Sequence, residues 1–463
     1  MTSQRPPAPT VAVIGAGFSG TMTAVQLLRS ASAGRPLRVV LIERSGDWGR
    51  GVAYAATDAP VVLNVPARGM SAYPDEPGHF LEWLRQRDPD AGPETFARRT
   101  LYGEYLAQQL TDAATDALPH GELDSVADEA LAVEGSGSGS GGTVRLASGA
   151  AIEADRIVLA LGNFPPSDPP VTDRWFYRDR RYVGSPWSPA ALVDLAPETP
   201  VLLIGTGLTM FDLIATLAAR GHGGAIHVLS RRGLIPHVHR APAAGCTAPV
   251  PAPPAGGLRP LVRWLRAAAR DAEARGCDWR IVVDGLRPEL QSLWRSMPID
   301  ERRRFLRHLR PYWEIHRHRL PPPILDTFEA ARRAGRVTLH AGSLRSFRAA
   351  DGETAVEVEL ALRGGTTRSI IVGRVINCTG PTSEYRKLEH PLVRGLFAAG
   401  LATPDPLHLG LETADDGALV DAAGRPSRII FAIGPVRKGS LWETTAVPEL
   451  REQAVALAGR LLK

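Results

Sequence analysis

At 463 residues the chain is long enough for two to three domains of about 150 residues each. Its 44% hydrophobic and 22% charged residues exclude a fibrous, collagenous or disordered chain. The net charge of +5 is concentrated in Leu258–Leu320, where fifteen arginines face eight acidic residues. No apolar run approaches a bilayer span and the polar, Pro-rich Met1–Thr10 carries no signal core, so a soluble, cytoplasmic protein without a membrane partner is expected. Cys246, Cys277 and Cys378 form neither a CxxC pair nor a zinc-ligand pattern, which counts against a disulfide-type reductase and against a metal centre.

In chain order, three short apolar runs stop at glycine: Val11–Ile14 before Gly15, Ile157–Leu161 before Gly162, and Val201–Ile204 before Gly205. Such runs suit buried parallel strands. Helical patterns follow the first and third, over Met22–Leu28 and Leu213–Ala218, and strands alternating with helices indicate doubly wound α/β units. Val375–Asn377 ahead of Gly380 and Ile429–Ile433 ahead of Gly434 repeat the theme. The tract Gly135–Gly142, GSGSGSGG, lies between the alternating stretches Ser125–Val133 and Thr143–Ile152 and reads as a loop joining two antiparallel strands. Ala241–Pro260, rich in Pro, Ala and Gly, reads as an irregular connector. After it, the spacing of Leu261, Trp264, Leu265 and Ala268, and of Phe305, Leu306, Leu309, Tyr312 and Trp313, predicts a helical insertion. Its tryptophans interleave with arginines but fall on the apolar helix faces, so packing is expected rather than nucleic-acid binding.

Gly15-Ala-Gly17-Phe-Ser-Gly20 is a GxGxxG that follows a strand and opens a helix. In such a loop Gly15 allows the tight turn, Gly17 admits a pyrophosphate to the backbone, and Gly20 lets helix and strand approach. The helix N-terminus then offers amide donors and a positive dipole end to phosphates. The strand Leu37–Ile42 ends in Glu43, 23 residues past Gly20, at the position of an acidic residue that hydrogen-bonds a ribose hydroxyl. A carboxylate there suits FAD or NAD equally and repels a 2′-phosphate. Arg44, next in the chain, is assigned to the same nucleotide site.

Gly205-Thr-Gly207-Leu-Thr-Met210 repeats the arrangement with Met210 in place of the third glycine, so looser helix–strand packing is expected. The following strand, Ile226–Leu229, ends in Ser230-Arg231-Arg232, 20 to 22 residues past Met210. A hydroxyl and two guanidiniums where the first unit has an acid suit a 2′-phosphate, so NADPH is expected over NADH. Two such units argue for FAD as a lasting cofactor in one and a hydride-delivering NADPH in the other. The chain is expected to cross between them at Gly162 and return at Gly380.

Together, Gly15–Gly20, Gly51–Tyr54, Leu63–Pro66 with Met70 and Ser71, Arg99–Tyr105, Gly205–Asp212, Trp313–Arg319 and Trp442–Leu450 resemble the bacterial FAD/NAD(P)-binding oxidoreductases of two-dinucleotide-domain type. These are relatives of the class B flavin monooxygenases and amine N-hydroxylases. The resemblance covers essentially the whole chain; its glycine fingerprints are widely shared, while the GVAY, LNV and WETTAVPEL segments are more specific. It implies an α/β fold of two Rossmann-like domains. An NAD(P) domain (171–345, with a helical insertion at 258–330) would be set into an FAD domain formed by 1–170 and 346–463. It also implies hydride transfer to FAD, reaction of the reduced flavin with molecular oxygen, and hydroxylation, N-hydroxylation included, of a small-molecule substrate. It places the flavin ring near Tyr54, Asn64, Met70 and the C-terminal segment after Gly434. The helix begun at Pro448 would aim its N-terminal dipole at the ring. One departure is informative: Arg181–Pro189, between the nucleotide folds, lacks the His of ketone-oxygenating relatives, which counts against ketone oxygenation.

An NAD(P)H:acceptor reductase and a non-enzymatic flavin redox sensor stand as alternatives. For His316-Arg317-His318-Arg319 two readings are open, a clamp for an anionic substrate or NADPH phosphate and a basic patch that is solvated or tethers the core. Two histidines two apart on a helix face different directions, so a metal site is not expected. The sequence names no catalytic acid or base, no substrate and no oligomeric state.

Overall fold

In the computed structural model, which describes residues 8–55, 60–135, 141–246, 253–254, 256–350 and 354–463, the run Val11–Ile14 forms the central strand Thr10–Ile14. Leu37–Ile42 and Arg156–Leu159 pair with it in parallel on either side. The full sheet runs Ala418–Val420, Pro426–Ala432, Arg156–Leu159, Thr10–Ile14, Leu37–Ile42, Gly121–Val126, with only the first pair antiparallel. Its central strands are apolar on both sides because both faces are covered there. Val11, Val13 and Leu41 pack with Met22 and Leu27 of the helix Phe18–Arg29. Ala12, Ile14 and Ile42 turn the other way, into a cluster with Leu392 and Leu396.

A second sheet is ordered Thr367–Val372, Val356–Leu362, Val337–Ala349, Ile226–Ser230, Val201–Ile204, Arg374–Asn377, Tyr182–Val183. All its strands lie between the two chain passages that build the first sheet, so one doubly wound fold is set into the other. The second sheet continues to Asn377, so the chain returns near Gly380, beyond the domain boundary expected at 346. Val356–Leu362 pairs antiparallel with the end of Val337–Ala349, and Thr367–Val372 pairs antiparallel with Val356–Leu362, which extends the second sheet. The insertion is likewise shorter than the expected 258–330. Pro322–Arg333 is a crossover helix that packs Phe328 on Phe211, 4.8 Å between ring centroids, and feeds the strand Val337–Ala349.

The glycine tract does separate antiparallel strands. Ala130–Gly135 and Gly142–Leu146 pair with Gly135 opposite Gly142, while 136–140 lie outside the described residues. The insertion is a chain of short helices from Leu258–Ala274 to Arg310–Arg317. Cys246 of the connector is disulfide-bonded to Cys277 at the end of the first of these, 31 residues on, a link no spacing motif announced. Among the described residues no helix is long and apolar enough to cross a membrane.

Candidate functional site

The two glycine loops are built alike. Gly15 takes φ +100° and Gly205 φ +115°, a region L side chains rarely occupy. A Cβ at Gly15 would collide with the Ala160 carbonyl, and one at Gly205 with the Cys378 carbonyl. Their amides donate to equivalent neighbours, Gly15 to the Ile42 carbonyl at 2.8 Å and Gly205 to that of Leu229 at 2.7 Å. Gly17 and Gly207 each stand as the N-cap residue of the helix that follows, Phe18–Arg29 and Leu208–Ala219. The free amides of both helices therefore point out of the C-terminal ends of the strands. Gly20 meets the Gly15 carbonyl, whereas Met210 at the corresponding place is buried in the core of the second fold.

At the end of Leu37–Ile42 the Glu43 carboxylate reaches back to the loop, accepting from the Ala16 amide at 2.9 Å and from the Ser45 amide and hydroxyl at 3.1 and 3.0 Å. An ionised carboxylate has about four acceptor positions, so one stays open to a ribose hydroxyl. Arg44 is exposed and pairs at 4.0 Å with Glu129. In the second fold Ser230 Oγ accepts from the Gly233 amide at 3.0 Å, closing the turn that presents the arginines. Arg231 is exposed and Arg232 lies 6.0 Å from the Tyr312 ring; neither has an acidic partner among the described residues.

The segments that follow the two crossover strands meet. Gly162 and Gly380 follow adjacent chain passages, bridged where Phe164 faces Thr382 and where Ser167 Oγ donates to Thr382 Oγ1 at 2.7 Å. Gly434 at φ +82° backs onto Ser19, and its carbonyl accepts from Thr444 Oγ1 at 3.1 Å, which brings the C-terminal segment against the first loop. Gly51 packs on Gly17, so Gly51–Tyr54 also lies beside that loop. Tyr54 sits edge-on to Tyr102 at 4.8 Å, and burial pushes its hydroxyl pKa up to about 12 against the pull of Arg99, so it is a neutral donor. Met70 is buried, and Arg451 of the C-terminal helix donates to the Ser71 carbonyl at 2.9 Å.

Two side chains sequence reasoning did not single out for a role join the folds. Arg99 Nη2 pairs with Asp212 at 2.8 Å while its Nε donates to the Val62 carbonyl at 3.1 Å. His239 Nε2 donates to the carbonyl of Asn64 at 2.8 Å, so the backbone of Asn64 is engaged as well as its neighbourhood. Burial brings the His239 pKa down to about 4, which keeps the ring neutral, with its proton on Nε2. Asp212 was visible only as a residue of the loop helix and Arg99 only as part of a shared segment. A lone charge in an otherwise apolar helix was the available signal.

His316–Arg319 resolves in favour of tethering. Buried Arg317 lies 3.6 Å from Glu443 and from Glu449, and Arg319 donates to Asp284, at 3.0 Å through Nη1. His316 Nδ1 contacts the Tyr312 carbonyl at 2.7 Å, and among the described residues no group of three or more His, Cys, Asp or Glu is placed to hold a metal. The insertion seats on the C-terminal segment through Arg287 to Glu449 at 2.7 Å, Gln291 to the Glu443 carbonyl at 2.7 Å, and Trp294 to the Gly439 carbonyl at 2.8 Å. Trp294, tilted, and Phe305, edge-on, also pack on Trp442, at 5.1 and 5.2 Å, contacts worth roughly 0.5–1.5 kcal/mol each beyond the area they bury. Burial opposes ionisation of Glu443, yet Arg317 and the neighbouring donors hold its carboxyl below the usual range. A groove of about 610 Å³ between Arg99–Ala117 and the edge strand Gly121–Val126 is lined by Trp48, Arg50, Thr111 and Leu123, with neither glycine loop in its wall.

Against known proteins, residues 12–164 match a family model described as FAD-NAD(P)-binding. The nitrosuccinic acid synthase of Aspergillus oryzae is 27% identical over 235 residues, which is 46% of this chain and 36% of that protein. The L-aspartate N-monooxygenase (nitrosuccinate-forming) of Streptomyces davaonensis is 26% identical over 258 residues, 47% of this chain and 39% of its own length. The chain thus spans under two-fifths of these curated relatives. Among solved structures, the ornithine hydroxylase of Pseudomonas aeruginosa superposes with a TM-score of 0.65 at 17% identity, over 98% of this chain and 99% of that one. At that identity the likeness is one of fold.

Proposed function

We propose that this chain, whose residues 12–164 match an FAD-NAD(P)-binding family model, is an FAD-dependent NADPH monooxygenase that hydroxylates the nitrogen of a small amine. The observation that carries this is the duplicated loop geometry, Gly15 against Ala160 and Gly205 against Cys378, with opposite charge at the following strand ends. Glu43 accepts a ribose hydroxyl at the first, which suits FAD. Arg231 and Arg232, free of acidic partners among the described residues, take the 2′-phosphate of NADPH at the second. The bare backbone at Gly15, where a side chain would fill the cradle, fits a pyrophosphate, and so do the outward amides of the helix Phe18–Arg29.

Bound FAD supplies two-electron acceptance from the nicotinamide and activation of oxygen. The protein's part is to bind, orient and exclude. Gly51–Tyr54, Asn64, Met70 and the segment after Gly434 wall the flavin position, and the Tyr54 hydroxyl, neutral at any physiological pH, serves as a donor. The insertion shields the C-terminal segment through Trp294, Trp313 and Arg317. Overall, NADPH, a proton, oxygen and a primary amine become NADP⁺, water and a hydroxylamine. The relatives named for aspartate and ornithine put amino acids, including those with a side-chain amine, first among substrates. NADPH is regenerated in the cytoplasm, the compartment proposed here.

Purified protein loaded with FAD is to be screened for amines that accelerate NADPH consumption. An amino acid or diamine that does so is the expected result; NADPH consumption that no amine alters favours a plain reductase.

A further inference from the structure

Arg99 opens the helix Arg99–Ala117 of the first fold, and Asp212 lies in the loop helix of the second, seven residues past Gly205. Their side chains are 14% and 9% exposed and meet at 2.8 Å. A buried ion pair contributes little net stability relative to well-packed apolar residues, but it fixes direction where each partner has a single position that satisfies it. Arg99 is held in three directions at once: Nη2 on Asp212, Nε on the Val62 carbonyl at 3.1 Å, and its face 5.4 Å from Trp187, which is itself 42% exposed. The second tether between the folds, His239 to the Asn64 carbonyl, lands two residues further along the same strip. Val62–Asn64 is therefore held at one end by Arg99, itself paired with Asp212 of the second fold, and at the other by His239 of the second fold.

We propose that Arg99 is a positioning residue that, through Asp212, keys the second glycine loop onto the Val62–Asn64 strip and so sets where a nicotinamide bound at that loop meets the flavin position. This rests on the function proposed above and adds to it a residue that no glycine fingerprint includes. Asp212 is one helical turn from the loop amides, so a shift of its carboxylate moves the loop itself. Misplacement of reacting atoms by about 1 Å costs roughly 100-fold in rate even when binding survives.

The test is anaerobic stopped-flow reduction of FAD-loaded protein by saturating NADPH, with dithionite reduction of the same samples as a reference that needs no docked nicotinamide. Arg99→Gln and the isosteric Asp212→Asn are each expected to slow NADPH-driven reduction roughly 10- to 100-fold. FAD content and dithionite reduction are to stay at wild-type level. The double variant is to be no slower than the worse single one, since both break one contact. Asp212→Asn decides the matter if Arg99→Gln does not fold. Wild-type NADPH reduction in a flavin-replete variant, or slowing that multiplies in the double variant, overturns the proposal. Wild-type protein that holds FAD but is not reduced by NADPH contradicts the proposed function instead.

Discussion

Trp313 donates its indole N–H to the Glu443 carboxylate at 3.0 Å, joining the last helix of the insertion to the C-terminal segment. Glu443 also balances buried Arg317, whose other carboxylate neighbour is Glu449. Glu443→Gln removes one of the two charges that compensate Arg317. Breaking a buried pair from one side is expected to cost about 3 kcal/mol, read as a lower denaturation midpoint. Trp313→Phe, which keeps the ring and loses only the donor, is expected to cost about 1 kcal/mol. Equal effects from the two would contradict this division.

Gly15→Ala and Gly205→Ala separate the two loops. Each adds a methyl group against a backbone carbonyl, of Ala160 or Cys378, at a φ unfavourable to alanine. Gly15→Ala is expected to lose FAD on purification. Gly205→Ala is expected to keep the yellow colour and lose NADPH-driven bleaching, both followed by visible absorbance. Retention of FAD by the first, or normal bleaching of the second, would refute the assignment of the loops.

Acid sensitivity follows from buried imidazoles. His239 has a pKa of about 4 in the folded protein through burial, against 6.5 when unfolded. Between those values the unfolded chain takes up the proton and the folded chain does not. Stability fully present above 6.5 is thus lost as pH falls toward 4, by up to about 3 kcal/mol for this group. His340, held at about 4 by burial and by nearby His227, adds loss in the same window. His239→Asn retains a donor and cannot titrate, so it is expected to make the decline in melting temperature between about pH 7 and pH 4.5 roughly half as steep. An unaltered slope would count against a neutral His239.

The Cys246–Cys277 bond closes a loop 31 residues in span around the start of the insertion. In the chain-entropy view such a cross-link contributes about 3–4 kcal/mol. Dithiothreitol, or Cys246→Ser with Cys277→Ser, is expected to lower the unfolding temperature and to speed proteolysis within the insertion. Unchanged melting after thiol titration confirms full reduction would show that the link carries no load.

The strands before Gly15, Gly162, Gly205, Gly380 and Gly434 were legible because a short apolar run ending in glycine has few alternatives. The Glu43 and Arg231–Arg232 positions were legible because a fixed interval follows from strand–helix–strand geometry. The domain boundary was drawn at 346, ahead of the Gly380 return, because Val356–Leu362 alternates in polarity, as an extension of either sheet would. Pro322–Arg333 was absorbed into the insertion because its periodicity matches its neighbours, and only the packing of Phe328 on Phe211 distinguishes it. Long-range partners such as Arg99 with Asp212, Arg317 with Glu443, and Cys246 with Cys277 leave no local pattern. Periodicity shows which face is buried but not what it meets.

The decisive measurement is product stoichiometry in air. With an amine that accelerates NADPH oxidation by the FAD-loaded protein, one hydroxylamine is expected for each NADPH consumed, with little hydrogen peroxide. If every such amine leaves all electrons in hydrogen peroxide and no nitrogen oxidised, the protein is not an N-hydroxylating monooxygenase.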